Sequence, residues 1–207
     1  MACLLAAAAG LCGAADQPAA PPGRTILVLG DSLSAEYGLK RGSGWVALLE
    51  QRLAQNGIAA KIVNASISGD TTAGGRSRLQ ALLVLHHPTH VIIELGANDA
   101  LRGLPLQATQ DNLNQMTQAA QKAGAKVLLV GMLLPPNYGQ DYSNRFAATY
   151  RTVAHAHQVP LVPFLLKGVA DRPDAARLFQ SDRIHPIEAA HPIMLDNVWS
   201  ELKRQLS

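Results

Sequence analysis

The sequence predicts an α/β fold in which a parallel sheet lies between two layers of helices, and three observations lead to that prediction. From residue 25 to the end of the chain, short apolar runs alternate with segments of helical periodicity. The runs contain few polar residues, as expected for strands that are buried on both faces. The 207 residues, 48% hydrophobic and 16% charged, suit one domain with a sizeable core.

Five strands are predicted from the apolar runs. They are residues 25–29, 62–63, 91–95, 127–130 and 159–164. Gly30 ends the first strand, and prolines interrupt the fifth. Since the segments between them are helical, the strands should run parallel, with right-handed crossovers that place helices on both faces of the sheet.

Five helices are predicted from apolar residues that recur at helical spacing. Their apolar faces are Trp45, Leu48, Leu49 and Leu53; Leu79, Leu82, Leu83 and Leu85; Leu113, Met116, Ala120 and Ala123; Phe146, Tyr150, Val153 and Ala154; and Ile193, Leu195, Val198 and Leu202. In a sheet of this kind, functional groups gather in the loops at the carboxyl ends of the strands. Those loops are therefore where a site is expected.

The first part of the chain differs from the rest in composition. Residues 1–15 carry no charge, are mostly Ala and Leu, and end in small residues, which predicts a signal peptide. The absence of a Lys or Arg from this segment is atypical, and the alternative is a flexible alanine-rich tail. Residues 16–24, with three prolines, are predicted to be a linker, and residues 25–207 the domain. The expected location is the periplasm or the extracellular medium.

Composition also excludes several classes of function. Cys3 and Cys12 both lie in the predicted signal peptide, so the mature domain is expected to have no disulfide, cysteine nucleophile or thiolate metal site. The N-terminal apolar stretch is too short to span a membrane, and no stable membrane insertion is expected. The net charge is +3, but the basic residues are scattered without interleaved aromatics, which argues against nucleic-acid binding.

The loop after the first predicted strand contains Ser32. Backbone N–H groups are unpaired where a strand gives way to a helical turn, and they can stabilise the oxyanion that forms when a hydroxyl attacks a carbonyl. Ser32 is thus a candidate nucleophile. A serine in this place is also a common helix cap, and that interpretation stays open.

The loops after the second and third strands contain Gly69 and Asn98. A glycine permits a tight turn whose N–H points into a site, and an asparagine amide is a neutral donor. Both could complete an oxyanion hole. The alternatives are a helix start capped by Asp70 or Thr72, and an Asx-turn at Asn98.

Near the C-terminus, Asp182 precedes His185 by three residues. An Asp and a His in one turn can share a hydrogen bond that fixes the imidazole tautomer, as a general base requires. The spacing alone is weak, but this pair, Ser32 and the candidate donors all fall at the same predicted sheet edge.

Together these blocks resemble the GDSL, or SGNH, hydrolases. The segments are Gly-Asp-Ser-Leu at residues 30–33, an isolated Gly69, Gly-Ala-Asn-Asp at 96–99 and Asp-Arg-Ile-His at 182–185. Residues 63–71, 94–99 and 133–139 are further similar to the bacterial periplasmic thioesterase I branch, whose members act as thioesterase, arylesterase and lysophospholipase. Ala97 stands where many relatives have a second glycine, which should matter little if its φ is negative.

The resemblance implies a flavodoxin-like three-layer fold with a five-stranded parallel sheet. It implies a catalytic triad of Ser32, His185 and Asp182, and an oxyanion hole formed by Ser32, Gly69 and Asn98. No metal or cofactor is expected, because acyl transfer by these groups needs none.

The expected activity is hydrolysis of a small-molecule ester, thioester or lysophospholipid. Leu101, Leu104, Pro135 and Tyr138, in loops beside the predicted site, could line a groove for an acyl chain, although ordinary loop packing is the alternative. Arg102 and Lys40 could meet a phosphate or CoA group, although lone exposed cations are usually only solvated. Two other functions stay open: a carbohydrate or short-chain acetylesterase on the same residues, and a non-enzymatic exported binding domain. The sequence does not predict an oligomeric state.

Overall fold

Five parallel strands form one sheet at the centre of the molecule, for which the computed structural model describes residues 23–206. The strands are β1 (Arg24–Gly30), β2 (Ala60–Asn64), β3 (His90–Glu94), β4 (Lys126–Val130) and β5 (Leu161–Val162). Their order across the sheet is β2-β1-β3-β4-β5, and each neighbouring pair is parallel. The predicted five-stranded parallel sheet is confirmed.

Among the described residues, six α-helices accompany the sheet. They are α1 (Trp45–Gln55), α2 (Thr72–His86), α3 (Ala97–Leu101), α4 (Leu106–Lys122), α5 (Gln140–His157) and α6 (His191–Leu206). Helix α1 packs against α6, whereas α4 packs between α2 and α5. The chain crosses the sheet in one direction from β1 to β2 and in the other from β2 to β5. Right-handed crossovers therefore place α1 on one face and α2, α4 and α5 on the opposite face.

The central strands form the core. Residues 26–29 of β1 and 91–93 of β3 have no exposed surface, and Leu128 and Leu129 of β4 are equally buried. Because helices cover both faces, adjacent side chains of one strand are buried alternately on opposite sides. This explains why these strands appear in the sequence as continuous apolar runs.

Besides the unpredicted helix α3 and strand ends that shift by one or two residues, four details differ from the sequence predictions. Strand β5 is only Leu161–Val162, because Pro160 and Pro163 lack the N–H that a longer ladder needs. Leu85 is 70% exposed, since it lies about 200° around the helix from buried Leu83. Ala123 is exposed and caps the C-terminus of α4. The N-cap of α2 is Thr71, whose hydroxyl accepts the Gly74 N–H, rather than Asp70 or Thr72.

The predicted signal peptide at residues 1–15 and the linker up to residue 22 lie outside the described residues. Strand β1 begins at Arg24, one residue before the predicted start of the domain. Within residues 23–206, no helix combines the length and apolar character needed to cross a lipid bilayer.

Candidate active site

Ser32, His185 and Asp182 meet at the carboxyl edge of the sheet. The Nε2 atom of His185 lies 2.9 Å from the Ser32 hydroxyl oxygen, and its Nδ1 lies 2.6 Å from Asp182 Oδ2. Ser32 follows β1, whereas the other two residues precede α6, so the fold brings together residues that are 153 positions apart. The imidazole bridges the hydroxyl and the carboxylate, which is the arrangement that general-base catalysis by histidine requires.

A tight turn holds Asp182 and His185. The Gln180 N–H donates to the His185 carbonyl over 2.7 Å, and Phe179 pairs with Pro186 in an isolated β-bridge. Within the turn, Asp182 Oδ1 accepts the backbone N–H groups of Ile184 and His185. The Asp182 side chain is therefore fixed by the turn that it supports.

The same contacts keep Asp182 ionised. The hydrogen bond from the His185 backbone, followed by those from its imidazole and from the Ile184 N–H, lowers the pKa of Asp182 from 3.8 to about 2. A carboxylate beside Nδ1 holds the proton on that nitrogen and leaves Nε2 free to accept one from Ser32.

The turn after β1 places Ser32 on a rigid base. The Ala35 and Ser34 N–H groups bond to the Asp31 carbonyl, and the Leu33 N–H bonds to Asp31 Oδ1 over 3.0 Å. Asp31 is almost wholly buried directly behind Ser32. Burial, the largest influence, raises the pKa of Asp31 from 3.8 to about 6.

Beneath this turn lies Glu94, the last residue of β3. Its Oε2 accepts the Asp31 N–H over 3.3 Å and the Ser34 hydroxyl over 2.7 Å, and the Trp45 indole N–H donates to that same hydroxyl. Burial raises the pKa of Glu94 well above its ordinary 4.5, and the charge of Asp31 raises it further. Glu94 thus supports the Ser32 turn as a buried acid that accepts hydrogen bonds from both Asp31 and Ser34. Sequence reasoning did not identify this role.

The three donors predicted for an oxyanion hole follow β1, β2 and β3; Ser32 and Asn98 line one cavity, whereas Gly69 is not among its lining residues. The backbone N–H groups of Ser32 and Gly69 donate to no acceptor among residues 23–206. Gly69 has a φ of +78°, a conformation that favours glycine, and its carbonyl accepts a 2.7 Å bond from Arg102. Asn98 donates from Nδ2 to Asp31 Oδ2 over 3.0 Å, which uses one of its two amide protons. The second proton stays available for a substrate oxygen.

Helix α3 explains how Asn98 is positioned. Ala97 begins this helix and is absent from the residues with positive φ, so the alanine fits as expected. Asp99, the next residue after Asn98, accepts the Thr72 N–H over 2.9 Å and also the Thr72 hydroxyl. This contact links α3 to the start of α2, and thereby links the loops that carry Asn98 and Gly69.

A cavity of about 600 Å³ opens from Ser32 and His185, and its lining is mostly apolar. Of the four predicted substrate-binding residues, Leu101 and Pro135 line this cavity. Leu104 and Tyr138 do not: Leu104 lies beyond the turn that leaves α3, and Tyr138 ends a 3-10 helix at Pro136–Tyr138. Met132 and Leu134, which precede Pro135, also line the cavity, and the lining residues that sequence reasoning missed include Phe164, Leu166 and Phe179.

Tyr37 is another site residue that the sequence did not reveal. Its ring lies against the imidazole of His185, with centroids 4.2 Å apart and a tilt of 36° between the planes. The Gln180 side chain donates to the carbonyls of both Tyr37 and Pro186, and so fastens the Tyr37 loop to the His185 turn. A single aromatic residue in a turn has no periodicity, so no sequence signal marked it.

Two pairs of residues, His86 with His90 and Glu188 with His191, have the spacing of metal ligands. The second member of each pair makes other contacts. His90 Nδ1 lies 2.9 Å from the Thr89 hydroxyl, and His191 Nδ1 accepts the Trp45 N–H. Within residues 23–206, no group of three or more His, Cys, Asp or Glu side chains is arranged to hold a metal ion.

Comparison with known proteins identifies the family. A model of the GDSL-like lipase/acylhydrolase family matches residues 28–193. Esterase TesA of Pseudomonas aeruginosa is 52% identical over 87% of this chain and 88% of its own. Thioesterase 1/protease 1/lysophospholipase L1 of Escherichia coli K12 is 42% identical over 86% of this chain and 83% of its own. A crystal structure of TesA superposes with a TM-score of 0.85 at 51% identity, covering 89% of this chain and all of the other.

These likenesses span most of the chain and include every loop of the site. The expected relationship to the GDSL hydrolases is confirmed, and the non-enzymatic alternative is wrong. The chain belongs to the GDSL-like lipase/acylhydrolase family and is a serine hydrolase that acts on ester bonds.

Proposed function

We propose that Ser32 is the nucleophile of this hydrolase, His185 its general base and Asp182 the carboxylate that orients the base. The observation that carries this proposal is the 2.9 Å contact between Ser32 Oγ and His185 Nε2, with Asp182 bound to the opposite ring nitrogen. In this assignment the substrate is a carboxylic ester or an acyl thioester, which is cleaved through an acyl-enzyme on Ser32.

The proposed cycle follows from this geometry. His185 takes the Ser32 proton as the oxygen attacks the carbonyl carbon, and the tetrahedral intermediate places its negative charge among the Ser32 N–H, the Gly69 N–H and Asn98. The intermediate collapses and expels an alcohol or thiol, which receives its proton from His185. Water then attacks the acyl-enzyme with the same base and releases the acid.

The apolar cavity supports a lipid-like acyl group. A cavity of about 600 Å³ lined by Leu101, Met132, Leu134 and Phe164 has room for a chain far longer than acetyl. The names of the relatives, esterase and thioesterase/lysophospholipase, favour an ester, thioester or lysophospholipid substrate over a sugar acetate.

The proposed location is the periplasm or the extracellular medium. The support comes from residues 1–15, whose uncharged Ala- and Leu-rich composition and small final residues suit a cleaved signal peptide. N-terminal sequencing of the protein from the periplasmic fraction tests this. Cleavage after Ala14 or Ala15 is expected, and a cytoplasmic protein with an intact N-terminus would contradict the proposal.

An organophosphonate that mimics the tetrahedral intermediate tests the nucleophile. The reagent should label the peptide that contains Ser32, and Ser32→Ala should abolish the label and lower kcat roughly 10³-fold or more. Ser77→Ala, a matched change at an exposed helical serine, should be labelled like the wild type. Labelling of a different residue, or ordinary turnover by Ser32→Ala, would overturn the assignment.

A series of nitrophenyl esters of increasing chain length tests the substrate class. Cleavage that extends from short to long acyl chains is expected if the cavity receives the chain. Cleavage of the acetate alone would instead favour the acetylesterase alternative.

A further inference from the structure

We propose that Arg183 forms a subsite for an anionic, phosphate-bearing leaving group beside the candidate catalytic residues. This inference rests on the proposed function, and it adds a substrate feature that the triad and the apolar cavity do not specify. Three observations support it: the backbone conformation of Arg183, the lack of a partner for its guanidinium, and its place relative to His185.

Arg183 adopts a backbone conformation that is unfavourable for an arginine. It lies in the turn that holds Asp182 and His185, and its φ is +59°. Glycine adopts this left-handed conformation at little cost, whereas a residue with a Cβ does not. The turn itself is closed by backbone bonds, including Arg183 N–H to the Gln180 carbonyl over 2.9 Å. A glycine would therefore satisfy the turn better, and the arginine side chain calls for another explanation. Strained residues of this kind cluster at functional sites.

The guanidinium of Arg183 is available to a ligand. Arg183 is exposed and is one of the residues that line the cavity, and its guanidinium makes no hydrogen bond or ion pair with residues 23–206. Arg102, another cation beside the site, donates to the Gly69 carbonyl. The carboxylate of Asp171 also lines the cavity, but its Oδ1 accepts the Gly168 N–H over 2.6 Å. Of the Lys and Arg residues in the described part of the chain, only Arg183 lines this cavity.

The chemistry places Arg183 on the side of the leaving group. The leaving atom must receive its proton from His185 Nε2, so the leaving group passes next to this imidazole. Arg183 is two residues before His185 in the same turn, whereas the apolar walls of the cavity suit the acyl chain. A planar guanidinium binds the oxygens of a phosphate with two parallel N–H bonds. The leaving group of acyl-CoA and that of a lysophospholipid share this phosphate chemistry.

The experiment compares substrates that differ in the charge of the leaving group. One pair is an acyl-CoA and the same acyl group on uncharged N-acetylcysteamine. The second pair is an anionic lysophosphatidylglycerol and the monoacylglycerol of equal chain length. The variants are Arg183→Gln, Arg183→Lys and Arg183→Gly, and the quantity measured is the ratio of kcat/KM for the charged to the uncharged member of each pair. Arg151→Gln, at an exposed position on α5, is the control for loss of one positive charge.

We expect Arg183→Gln and Arg183→Gly to lower this ratio roughly 3- to 10-fold in at least one pair, the size of a partly exposed charged contact. Arg183→Lys should keep part of the ratio, and Arg151→Gln should leave it unchanged. In the wild type the ratio should fall as salt is added, because salt screens an exposed charge. Arg183→Gly should meanwhile melt at the same or a higher temperature, since it relieves the strained turn. A response confined to the acyl-CoA pair identifies CoA as the source of the phosphate, and a response confined to the lysophosphatidylglycerol pair identifies a lipid headgroup.

The proposal is overturned if the variants lose activity equally on charged and uncharged substrates, or if Arg151→Gln changes the ratio as much as Arg183→Gln does. Failure of the proposed function itself would give a distinguishable result. If the wild type cleaves none of the four substrates, the ester and thioester assignment fails, and the subsite fails with it.

Discussion

The ring of Tyr37 packs against the imidazole of His185, 4.2 Å away between centroids. The two residues come from different loops, which the Gln180 side chain joins by binding the carbonyls of Tyr37 and Pro186. The contact restricts the imidazole on a ring face, whereas Asp182 and Ser32 hold it by its two ring nitrogens. An aromatic face also stabilises the positive charge that the imidazole carries while it holds the Ser32 proton. Tyr37 is accordingly a positioning residue for the proposed base.

Tyr37→Leu should lower kcat by roughly 3- to 30-fold, the range that corresponds to about 0.5–2 kcal/mol for a cation–π contact. KM should change little, because Tyr37 is outside the cavity lining. Tyr37→Phe keeps the ring and should retain most of the wild-type kcat. Steady-state kinetics with one nitrophenyl ester measures both parameters. Equal losses in the Leu and Phe variants would mean that the hydroxyl, rather than the ring, matters.

Asn98→Ala removes the proposed side-chain donor of the oxyanion hole. The expected loss in kcat is about 10²–10³-fold, as for a donor that acts on the transition state. Asn56→Ala is the matched control, because the Asn56 amide only donates to the Arg52 carbonyl at the exposed end of α1. A kcat for Asn98→Ala within error of the wild type would leave Asn98 with only its bond to Asp31.

Asp182→Asn should lower kcat by roughly 10²–10⁴-fold, because an amide beside Nδ1 no longer enforces the tautomer that accepts the Ser32 proton. The pKa of Asp182 is lowered to about 2, so its carboxylate is ionised at neutral and mildly acidic pH. The wild-type to variant ratio of kcat should therefore stay well above one throughout the range from about pH 5 to 8. Asp141→Asn, an exposed substitution on α5, should behave like the wild type. A ratio that collapses at mildly acidic pH would contradict an ionised Asp182.

The lowered pKa of Asp182 also has a defined effect on stability. A carboxyl whose pKa is lower in the folded than in the unfolded protein stabilises the fold above its ordinary value of 3.8. That contribution is lost as the pH falls towards about 2.

Glu94→Gln should stabilise the protein increasingly as the pH rises. The pKa of Glu94 is raised by burial, so above pH 4.5 the unfolded chain releases this proton while the folded chain keeps it. The wild type therefore loses up to about 1.4 kcal/mol per pH unit through this residue, until the folded-state pKa is reached. A glutamine does not ionise, and its carbonyl can still accept the Asp31 N–H and the Ser34 hydroxyl. Denaturant unfolding from mildly acidic to alkaline pH measures the difference.

Glu50→Gln, at an exposed position on α1, is the control for that series. Its free energy of unfolding should keep the wild-type pH dependence. If Glu94→Gln is less stable than the wild type at every pH, the Glu94 side chain is held by contacts that an amide cannot replace.

The strands and long helices were predictable because each carries its own signal. Buried segments consist of apolar residues, so burial can be predicted from residue type. Examples are residues 26–29 and the face of α1 from Trp45 to Leu53. Helix α3 was missed because five residues are too short to show a period. The length of β5 was wrong because the apolar pattern continues through prolines that break the ladder.

Position along the chain predicted which loops carry the site residues, but not which side chains of those loops face the cavity. Ser32, Gly69, Asn98, Asp182 and His185 could be chosen because the ends of parallel strands share one edge. Leu101 ends α3 and Leu104 follows three residues later, yet only Leu101 lines the cavity. Which side chain of a loop faces a cavity depends on the packing of that loop, and this leaves no pattern in the sequence.

The sequence by itself determined two things: the alternation of strands and helices, and the residue types that lie at the ends of the strands. Both depend on local periodicity and side-chain chemistry. Only the tertiary structure decided that His185 reaches Ser32 from 153 residues away, that Tyr37 covers the imidazole, and that Glu94 supports the Ser32 turn from below. These contacts join distant segments, and their distances follow from how the sheet and helices pack together.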